Sequence, residues 1–302
     1  MIQQQTLKAP ISCKGIGLHT GHEVSLTVHP ADVDHGIVFY RADKPGTASI
    51  RADFKNVGST SFATTLNGGD FFISTVEHLM SALAGMGVDN ALVEVKGNEL
   101  PIMDGSSLPF AHLIASAGLT EQNKPRKYIQ ILRPVIVSEG DKIAGLYPAS
   151  KFSVSYSIEF EHPMIKTQRY DADLTPEAYI KDIAWARTFG FLREINMMKA
   201  NGLAAGGGLQ NALVLGNYSV INKGGVRFPD EFVRHKILDA VGDVFLAGHR
   251  ILGQLVCKKS GHALNHKLVS RMFEDRLAWR YVELDNFQPD QELDNAAGAY
   301  TQ

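Results

Sequence analysis

The sequence predicts an α+β fold, in which helices pack on β-sheets. Its strand patterns and helix patterns come in clusters, which disfavours the strict β-α-β alternation of a doubly wound parallel sheet. One segment predicts a strand with a single buried face, because five of its apolar residues alternate with polar ones: Phe152, Val154, Tyr156, Ile158 and Phe160. With 302 residues, the chain is long enough for two domains with cores of their own.

In the first half of the chain, two predicted strands bracket a predicted helix. Residues 37–40 and 91–95 are rich in residues that favour strands. A helix is predicted from residue 74 to about residue 84, and Gly85 and Gly87 are expected to end it. The other predicted helices cover residues 109–117, 176–187 and 232–247.

Residues 120–127 predict a linker between two domains. The segment is polar, has little apolar periodicity and contains the helix-breaking Pro125. We therefore predict an N-terminal domain over residues 1–122 and a C-terminal domain over residues 128–302.

The composition excludes several classes of protein. The formal net charge is -2, so the chain lacks the basic field with which nucleic-acid binders neutralise phosphates. The N-terminus lacks the apolar region of a secretory signal and no stretch is long and apolar enough to cross a membrane, so we expect a cytoplasmic protein without stable membrane insertion. The two cysteines, Cys13 and Cys257, are too few for a cysteine-rich metal site, and any metal must use histidines and carboxylates.

Two chemically active residues, Glu77 and His78, lie outside the apolar stripe of the first predicted helix. That stripe follows helical spacing and consists of Val76, Leu79, Met80 and Leu83. Glu77 and His78 then lie at the first turn, where a cleft could reach them. Ser74 and Glu77 also have the spacing of a capping box, in which Glu77 would only accept a backbone N–H. Both interpretations remain open at this point.

The last predicted long helix places His235, Asp239 and Asp243 at positions i, i+4 and i+8, so they line one face. Gly242 falls in the same stripe and is expected to keep it open. His235 and Asp239 could bind one cation, and His78 would complete a set that leaves a position for water. The alternative is that His235 and Asp239 form a solvated helix salt bridge.

Two glycine-containing segments are weaker candidates. In Ser260-Gly261-His262, the glycine permits a tight backbone that leaves the imidazole available, although a histidine in such a segment is more often an ordinary surface residue. The run of Gly206, Gly207 and Gly208 is not followed by the Lys-Ser/Thr of a phosphate-binding loop. We interpret it as a flexible turn; the alternative is that it shapes a pocket.

Six motifs lie in order along the chain: Gly17-Leu18-His19-Thr20-Gly21, Ser74-Thr75-Val76-Glu77-His78-Leu79, Pro101-Ile102-Met103-Asp104-Gly105-Ser106, Ala186-Arg187-Thr188-Phe189-Gly190-Phe191, Phe232-Val233-Arg234-His235-Lys236-Ile237-Leu238-Asp239 and Lys259-Ser260-Gly261-His262-Ala263-Leu264-Asn265. Together they resemble the family of UDP-3-O-acyl-N-acetylglucosamine deacetylases, across roughly residues 1–285. The resemblance implies two similar α+β domains, with helices sandwiched between two outer sheets and the active site at the domain junction.

The resemblance also implies an activity and a cofactor. The expected reaction is hydrolysis of the N-acetyl group of UDP-3-O-(3-hydroxyacyl)-N-acetylglucosamine, the committed step of lipid A biosynthesis. His78, His235 and Asp239 resemble the ligands of one Zn²⁺ ion, which Fe²⁺ could replace in cells. Glu77 resembles the general base and His262 the general acid. The resemblance further implies that Asp243 orients His262 and that Thr188 stabilises the oxyanion.

The same resemblance implies substrate contacts. Polar contacts near the nucleotide, the diphosphate or the reacting centre are expected from His19, Lys142, Lys236 and Lys259, with Phe160 beside them. Phe191, Leu192, Ile195 and residues 204–209 correspond to an apolar passage for the acyl chain. The three glycines and Ala204 depart from many relatives, which leaves the acyl length open. The apolar residues could instead be ordinary core.

The sequence disfavours two competing functions. A zinc protease is disfavoured because neither H-E-x-x-H nor H-x-x-E-H occurs. A catalytically silent protein that binds a UDP-sugar or zinc would be expected to have lost the base or the acid, whereas Glu77 and His262 are both present. We therefore expect an enzyme that acts as a monomer on a small-molecule UDP-acyl-sugar, with no nucleic-acid partner.

Overall fold

The computed structural model describes residues 1–44, 46 and 48–284. Its helices are α1 Glu77–Met86, α2 Leu108–Ala117, α3 Pro176–Ala178, α4 Leu192–Ala200, α5 Glu231–Phe245 and α6 His262–Glu274. Its strands in the first 125 residues are β1 Gln3–Leu7, β2 Ile11–Ile16, β3 Glu23–Pro30, β4 Ile37–Arg41, β5 Ile50–Arg51, β6 Val57–Ser59, β7 Thr65–Asn67, β8 Phe72–Ile73, β9 Ala91–Lys96 and β10 Leu119–Pro125. The later strands are β11 Lys127–Ile131, β12 Val135–Glu139, β13 Lys142–Tyr147, β14 Phe152–Phe160, β15 Lys166–Asp173, β16 Phe189–Phe191, β17 Leu213–Leu215, β18 Arg250–Lys258 and β19 Trp279–Glu283.

Two large sheets dominate the described residues. In the first half, five strands pair in the order β2-β3-β9-β4-β5, with β4 and β9 parallel. In the second half, a seven-stranded sheet runs β12-β13-β18-β11-β19, with β14 also paired to β18 and β15 paired to β14. Strand β18 is long enough to pair with β11 near its start and with β13 and β14 further along. Each large sheet thus draws its strands from one half of the sequence.

The main helices lie between these two sheets. Helix α2 packs on β2, α1 packs on α2 and α5, and α6 packs on β12 and β13. Helix α5 also packs on β14, so the α1–α5 contact joins the two halves. One continuous apolar core includes residues of both sheets and both helices. The predicted α+β class is confirmed. Among the described residues, no helix is both long and apolar enough to span a membrane.

Several predicted elements agree with the structure within one or two residues. The predicted strands at 37–40 and 91–95 are β4 and β9, and the alternating segment 152–160 is β14. The predicted helices at 109–117 and 232–247 are α2 and α5. Apolar periodicity determines these elements locally, which is why the sequence predicts them.

The first helix begins three residues later than predicted. Thr75 has a φ of +59°, a left-handed conformation that a helix cannot contain. The Ser74 amide donates to Asn98 instead of entering the helix. Gly85 was wrongly predicted to help end the helix: it lies inside α1, and Gly87 ends it with a φ of +94°.

The predicted linker at 120–127 is wrong as a description of local structure. Most of this segment belongs to β10, which pairs antiparallel with β1 at the other end of the N-terminal half. Its polar composition fits a strand whose side chains are mostly exposed or half-buried. A strand partner more than 100 residues away leaves no local signal. The division into domains 1–122 and 128–302 stays a prediction, and its last 18 residues lie outside the described chain.

The predicted helix at 176–187 is also shorter in the structure. Helix α3 continues as a π-helical segment, Tyr179–Ile183, and then ends. The buried Tyr179 packs so closely on Gly85 of α1 that a side chain there would meet its ring. Tyr179 also hydrogen-bonds Ser81 and Ser107. The helix departs from α-helical geometry at this tightly packed tyrosine, the first residue of the π-helical segment.

Candidate metal centre and active site

The first turn of α1 carries Glu77 and His78, and both side chains are buried. The capping-box interpretation is wrong, because Val76 occupies the N-cap position. Glu77 Oε2 instead accepts the backbone N–H of Thr64 at 3.1 Å. The expectation of a two-faced helix also needs correction, since Glu77 through Gly85 are all buried. Glu77 is thus a buried carboxylate with few partners.

Two histidines and one aspartate meet between α1 and α5. Asp239 Oδ1 lies 3.5 Å from His78 Nε2 and 3.3 Å from His235 Nε2. All three donor atoms lie within 4.8 Å of one another, and all three residues are buried. The interpretation of His235 and Asp239 as a solvated salt bridge is therefore wrong. Their burial, together with His78 from a second helix, makes a group that could hold a metal ion.

The protonation of this group suits a cation. His235 Nδ1 donates to the carbonyl of Ala186 at 3.0 Å, which leaves the Nε2 lone pair directed at the group. Burial lowers the pKa of His235 to about 4, so the ring is neutral at pH 7. Burial opposes ionisation of Asp239, but His235 and Lys236 hold its pKa well below the usual range. Two imidazoles and one carboxylate are a set of side chains that catalytic divalent ions use as ligands.

Gly242 does not keep the helix face open, as the sequence analysis expected. A Cβ at this position would lie 2.1 Å from the backbone oxygen of Glu77. The missing side chain instead lets α5 approach α1 closely. This contact holds Glu77 and His78 beside His235 and Asp239.

Replacing Gly242 by alanine is expected to destabilise the fold and weaken metal binding. The added methyl group must push α1 away from α5, and such overpacking costs about 1–3 kcal/mol. Urea unfolding and metal titration would measure both effects. Gly224→Ala is the matched control, since a Cβ there meets nothing within 4 Å. Equal stability and equal metal affinity in the two variants would contradict this account.

A second polar group adjoins the metal group. His262, the first residue of α6, donates from Nδ1 to Asp243 Oδ2 at 2.9 Å. Its other ring nitrogen, Nε2, lies 3.8 Å from Glu77 Oε1. His262 is therefore not a surface histidine, and it faces the same space as Glu77. Asp243 fixes the orientation of the ring.

Burial and neighbouring charges shift the pKa values of this pair. Burial raises the pKa of Glu77, although His262 and His78 partly oppose the shift. Burial would lower the pKa of His262, but the carboxylates of Asp243 and Glu77 outweigh it and raise the pKa to about 9. At neutral pH, His262 is cationic and can give up a proton. Glu77 is thus suited to accept a proton, and His262 is suited to donate one.

Two residues of this network were not predicted as site residues. The Thr64 hydroxyl donates to Asp243 Oδ1 at 2.6 Å, while its backbone N–H holds Glu77. Asn265 Nδ2 donates to Asp243 Oδ2 at 2.8 Å. Asn265 follows His262 by three residues on α6, so helical spacing could have identified it. Thr64 lies in a loop without periodicity and gave no such signal.

An apolar pocket of about 410 Å³, here called the front pocket, lies between the loop of His19 and α4. Thr188, Leu192 and Ile195 line it together with His19, and Gly207 and Gly208 line its far side. Both ring nitrogens of His19 are buried without a hydrogen-bond partner among the described residues. The pocket therefore combines an apolar wall with an available polar group, as ligand pockets do.

The glycine run shapes this pocket, which agrees with the alternative interpretation and not with a flexible turn. A Cβ on Gly206 would lie 2.1 Å from the backbone oxygen of Gly17, so only glycine lets these two loops meet. The Gly206 amide donates to Leu18, which fixes the contact. Phe191 and Phe160 pack together, with ring centroids 5.8 Å apart.

The three predicted lysine contacts are not gathered at one point. Lys236 Nζ lies 2.6 Å from Asp239 Oδ2, next to the metal group. Lys259 Nζ lies 2.6 Å from both Asp141 and Glu159. Lys142 is exposed at the start of β13. Only Lys236 directly contacts the metal group, and the roles of Lys142 and Lys259 stay predictions.

Comparison with known proteins identifies the relatives of this arrangement. The family model described as UDP-3-O-acyl N-acetylglycosamine deacetylase matches residues 4–274. The chain belongs to this deacetylase family. Every predicted site residue lies inside the matched region, from His19 to His262.

Individual relatives match nearly the full chain. A UDP-3-O-acyl-N-acetylglucosamine deacetylase of Geobacter sp. is 51% identical over 94% of this chain and 93% of that protein. Proteins of the same name from Teredinibacter turnerae and Stenotrophomonas maltophilia are 48% and 47% identical, and cover 94% and 99% of this chain and 95% and 100% of their own lengths. The family interpretation drawn from the six motifs is confirmed.

Proposed function

We propose that this protein hydrolyses the N-acetyl group of UDP-3-O-(3-hydroxyacyl)-N-acetylglucosamine, giving UDP-3-O-acylglucosamine and acetate for lipid A biosynthesis. One observation carries the proposal: a carboxylate and a histidine, Glu77 and His262, face each other across 3.8 Å beside a buried group of two histidines and an aspartate. Amide hydrolysis needs a base, an acid and polarisation of the carbonyl, and this arrangement offers all three. The names of the relatives supply the substrate.

His78, His235 and Asp239 would hold one Zn²⁺ ion, since two imidazoles, a carboxylate and an open position are the ligand set of catalytic zinc. When bound, the ion would acidify a water molecule and polarise the acetamide carbonyl. Lys236 contacts the second oxygen of Asp239 and so fixes the orientation of that carboxylate. Fe²⁺ accepts similar ligands and is the alternative ion in cells.

Glu77 is the proposed general base. Burial raises its pKa, which increases its affinity for the proton of the attacking water. The Thr64 amide holds one carboxylate oxygen and leaves the other, Oε1, facing His262. Glu77 is therefore oriented by the backbone.

His262 is the proposed general acid. A sugar amine leaves poorly unless it is protonated, and the cationic ring supplies that proton. Asp243 orients the ring and favours its charged form. Thr188 lines the front pocket, and we propose that its hydroxyl donates to the oxyanion that develops on the acetamide.

The front pocket is proposed to take the 3-O-acyl chain. Its volume of about 410 Å³ and its apolar wall of Leu192 and Ile195 suit an alkyl chain, with Phe191 and Phe160 packed beside it. His19, whose buried ring nitrogens lack partners in the described chain, would contact a polar group of the substrate. Lys142, Lys236 and Lys259 are proposed to contact the nucleotide and diphosphate.

Incubation of the metal-loaded protein with UDP-3-O-(3-hydroxyacyl)-N-acetylglucosamine tests the proposed activity. We expect stoichiometric release of acetate, and slower release from UDP-N-acetylglucosamine because it lacks the acyl chain that the front pocket would bind. Binding of the acylated substrate without acetate release would instead support the alternative, a catalytically silent UDP-sugar-binding protein. Fractionation and light scattering would test the expected cytoplasmic location and monomeric state.

Replacing Asp243 by asparagine is expected to shift the alkaline limb of activity to lower pH. The acid form of His262 is the active one, so activity is lost as pH rises through its pKa of about 9. Removing the Asp243 charge lowers that pKa, by roughly one to three units. The pH dependence of kcat measures the shift. Asn265→Ala removes a neutral hydrogen bond to Asp243 and no charge, so its alkaline limb should stay in place. An unmoved limb in Asp243→Asn would exclude His262 as the acid.

A further inference from the structure

A second apolar cavity of about 530 Å³, here called the rear cavity, lies at the opposite end of α1 from the metal group. It is larger than the front pocket and within the range of about 300–1,000 Å³ that is typical of ligand sites. Its apolar wall includes Ala84, Phe152, Leu174, Val244, Phe245 and Leu252. Ala84 follows Glu77 by seven residues on one helix, which separates the two sites by about 10 Å along its axis. The rear cavity is therefore distinct from the proposed active site.

A smaller chamber of about 250 Å³ adjoins the rear cavity, and the two share Arg126, Phe245, His249 and Arg250 as lining residues. The chamber is polar. Its charged side chains are four cations and two carboxylates: Arg51, Arg126, Lys127, Arg250, Asp34 and Asp89. The rear cavity therefore adjoins a basic chamber, and these four residues lie between the two spaces.

The two carboxylates are already committed to other partners. Asp89 accepts Arg126 Nε at 2.8 Å and the Gln5 amide at 2.7 Å, and its other oxygen lies 3.5 Å from Arg250 Nε. The single negative charge of Asp89 is thus shared between the guanidinium groups of Arg126 and Arg250. Asp34 is paired with Lys124 outside the chamber. The arginine pair therefore retains surplus positive charge.

Arg51 and Lys127 add to that surplus. Neither side chain has a hydrogen bond or an ion pair within the part of the chain that the structure describes. Burial lowers the pKa of His249, and the charges of Lys127 and Arg51 lower it further, so both cations act on the residue that lines the two spaces. The charge of Lys127 also acts on the Asp34 carboxylate, without a direct ion pair. Convergent cations that form no direct ion pair can bind an anion.

We propose that the rear cavity binds a single-chain amphiphile with an anionic head group, its alkyl chain between α1 and α5 and its carboxylate or phosphate in the basic chamber. The apolar wall excludes a purely polar ligand, since burying polar groups without partners is costly. The surplus of cations excludes a neutral lipid as the preferred occupant. A fatty acid and an alkyl phosphate share the required chemistry.

Calorimetric titration of the metal-loaded, full-length protein tests this proposal. The Ile195→Trp background fills the front pocket, so that an alkyl chain has only the rear cavity as a proposed site. We expect one equivalent of dodecyl phosphate or laurate to bind below its micelle concentration. Adding Leu174→Trp should abolish binding, because the larger side chain would fill the apolar part of the rear cavity. Arg51→Gln and Lys127→Gln should each weaken binding about tenfold, as expected for loss of a charged contact.

Two partial ligands separate the contribution of the alkyl chain from that of the head group. Dodecanol and inorganic phosphate should each bind at least about tenfold more weakly than dodecyl phosphate, because each offers only half of the interactions. Equal binding of dodecanol would overturn the role of the cations, and equal binding of inorganic phosphate would overturn the role of the apolar wall. Comparison of laurate with dodecyl phosphate decides between the two head groups.

The two charge variants are expected to fold normally, because Arg51 is exposed and Lys127 is half-buried. Thermal unfolding and acetate release should be unchanged in Arg51→Gln and Lys127→Gln. If neither charge variant nor Leu174→Trp alters binding in the Ile195→Trp background, the rear cavity is not the site. Binding is measured directly, so this outcome is independent of whether the protein releases acetate.

Discussion

Glu77→Gln is expected to lower kcat by about 10²–10⁴-fold, the usual contribution of general base catalysis. The amide has the size of the carboxylate and can still accept the Thr64 N–H, but it cannot take a proton from water. The metal ligands are other residues, so the protein should keep its metal. Acetate release and metal analysis of the purified variant measure both results.

Glu94→Gln is the matched control for this substitution. Glu94 lies on β9 and contacts Tyr40 and His29, not the metal group. We expect full activity in this variant. Parent-like turnover in Glu77→Gln would remove Glu77 as the base, and loss of metal from it would show that Glu77 acts through the metal group instead.

His78→Ala is expected to lose both metal and activity. The substitution leaves one histidine and one carboxylate, and affinity should fall by more than the roughly 10–100-fold that follows loss of a residue merely supporting a ligand. A ligand that binds only the folded state stabilises it, so chelation should lower the Tm of the parent and leave that of His78→Ala unchanged. Metal analysis and thermal unfolding with and without chelator measure these effects.

His112→Ala serves as the control for His78→Ala, because His112 is an exposed histidine on α2. It should bind metal and respond to chelator as the parent does. In the parent, chelation should abolish acetate release and added Zn²⁺ should restore it. Full activity of metal-free protein, or of His78→Ala, would refute the metal mechanism.

Local periodicity made much of the site predictable. The i, i+4, i+8 spacing of His235, Asp239 and Asp243 holds in α5, and the alternating strand 152–160 is β14. Both patterns follow from helix and strand geometry, which depends on neighbours in sequence. The order of the six motifs predicted the family and, through it, the roles of Glu77, His78 and His262.

Other features depend on residues far apart in the chain. The segment 120–127 is a strand only because β1 pairs with it, and Thr75 takes its left-handed conformation where the chain turns into α1. Thr64 joins the site through hydrogen bonds to Glu77 and Asp243, without any periodic signal of its own. No local pattern encodes such contacts.

The sequence by itself determined the fold class, the positions of β4, β9, β14, α2 and α5, the family and the identity of the candidate metal ligands, because all of these follow from residue spacing or ordered motifs. The tertiary structure alone decided that His78 meets His235 and Asp239, and that Gly242 allows α5 to contact the Glu77 backbone. It also revealed the rear cavity and its basic chamber. The physical reason is that spacing fixes which face a side chain occupies, whereas close packing of separate elements fixes which faces meet.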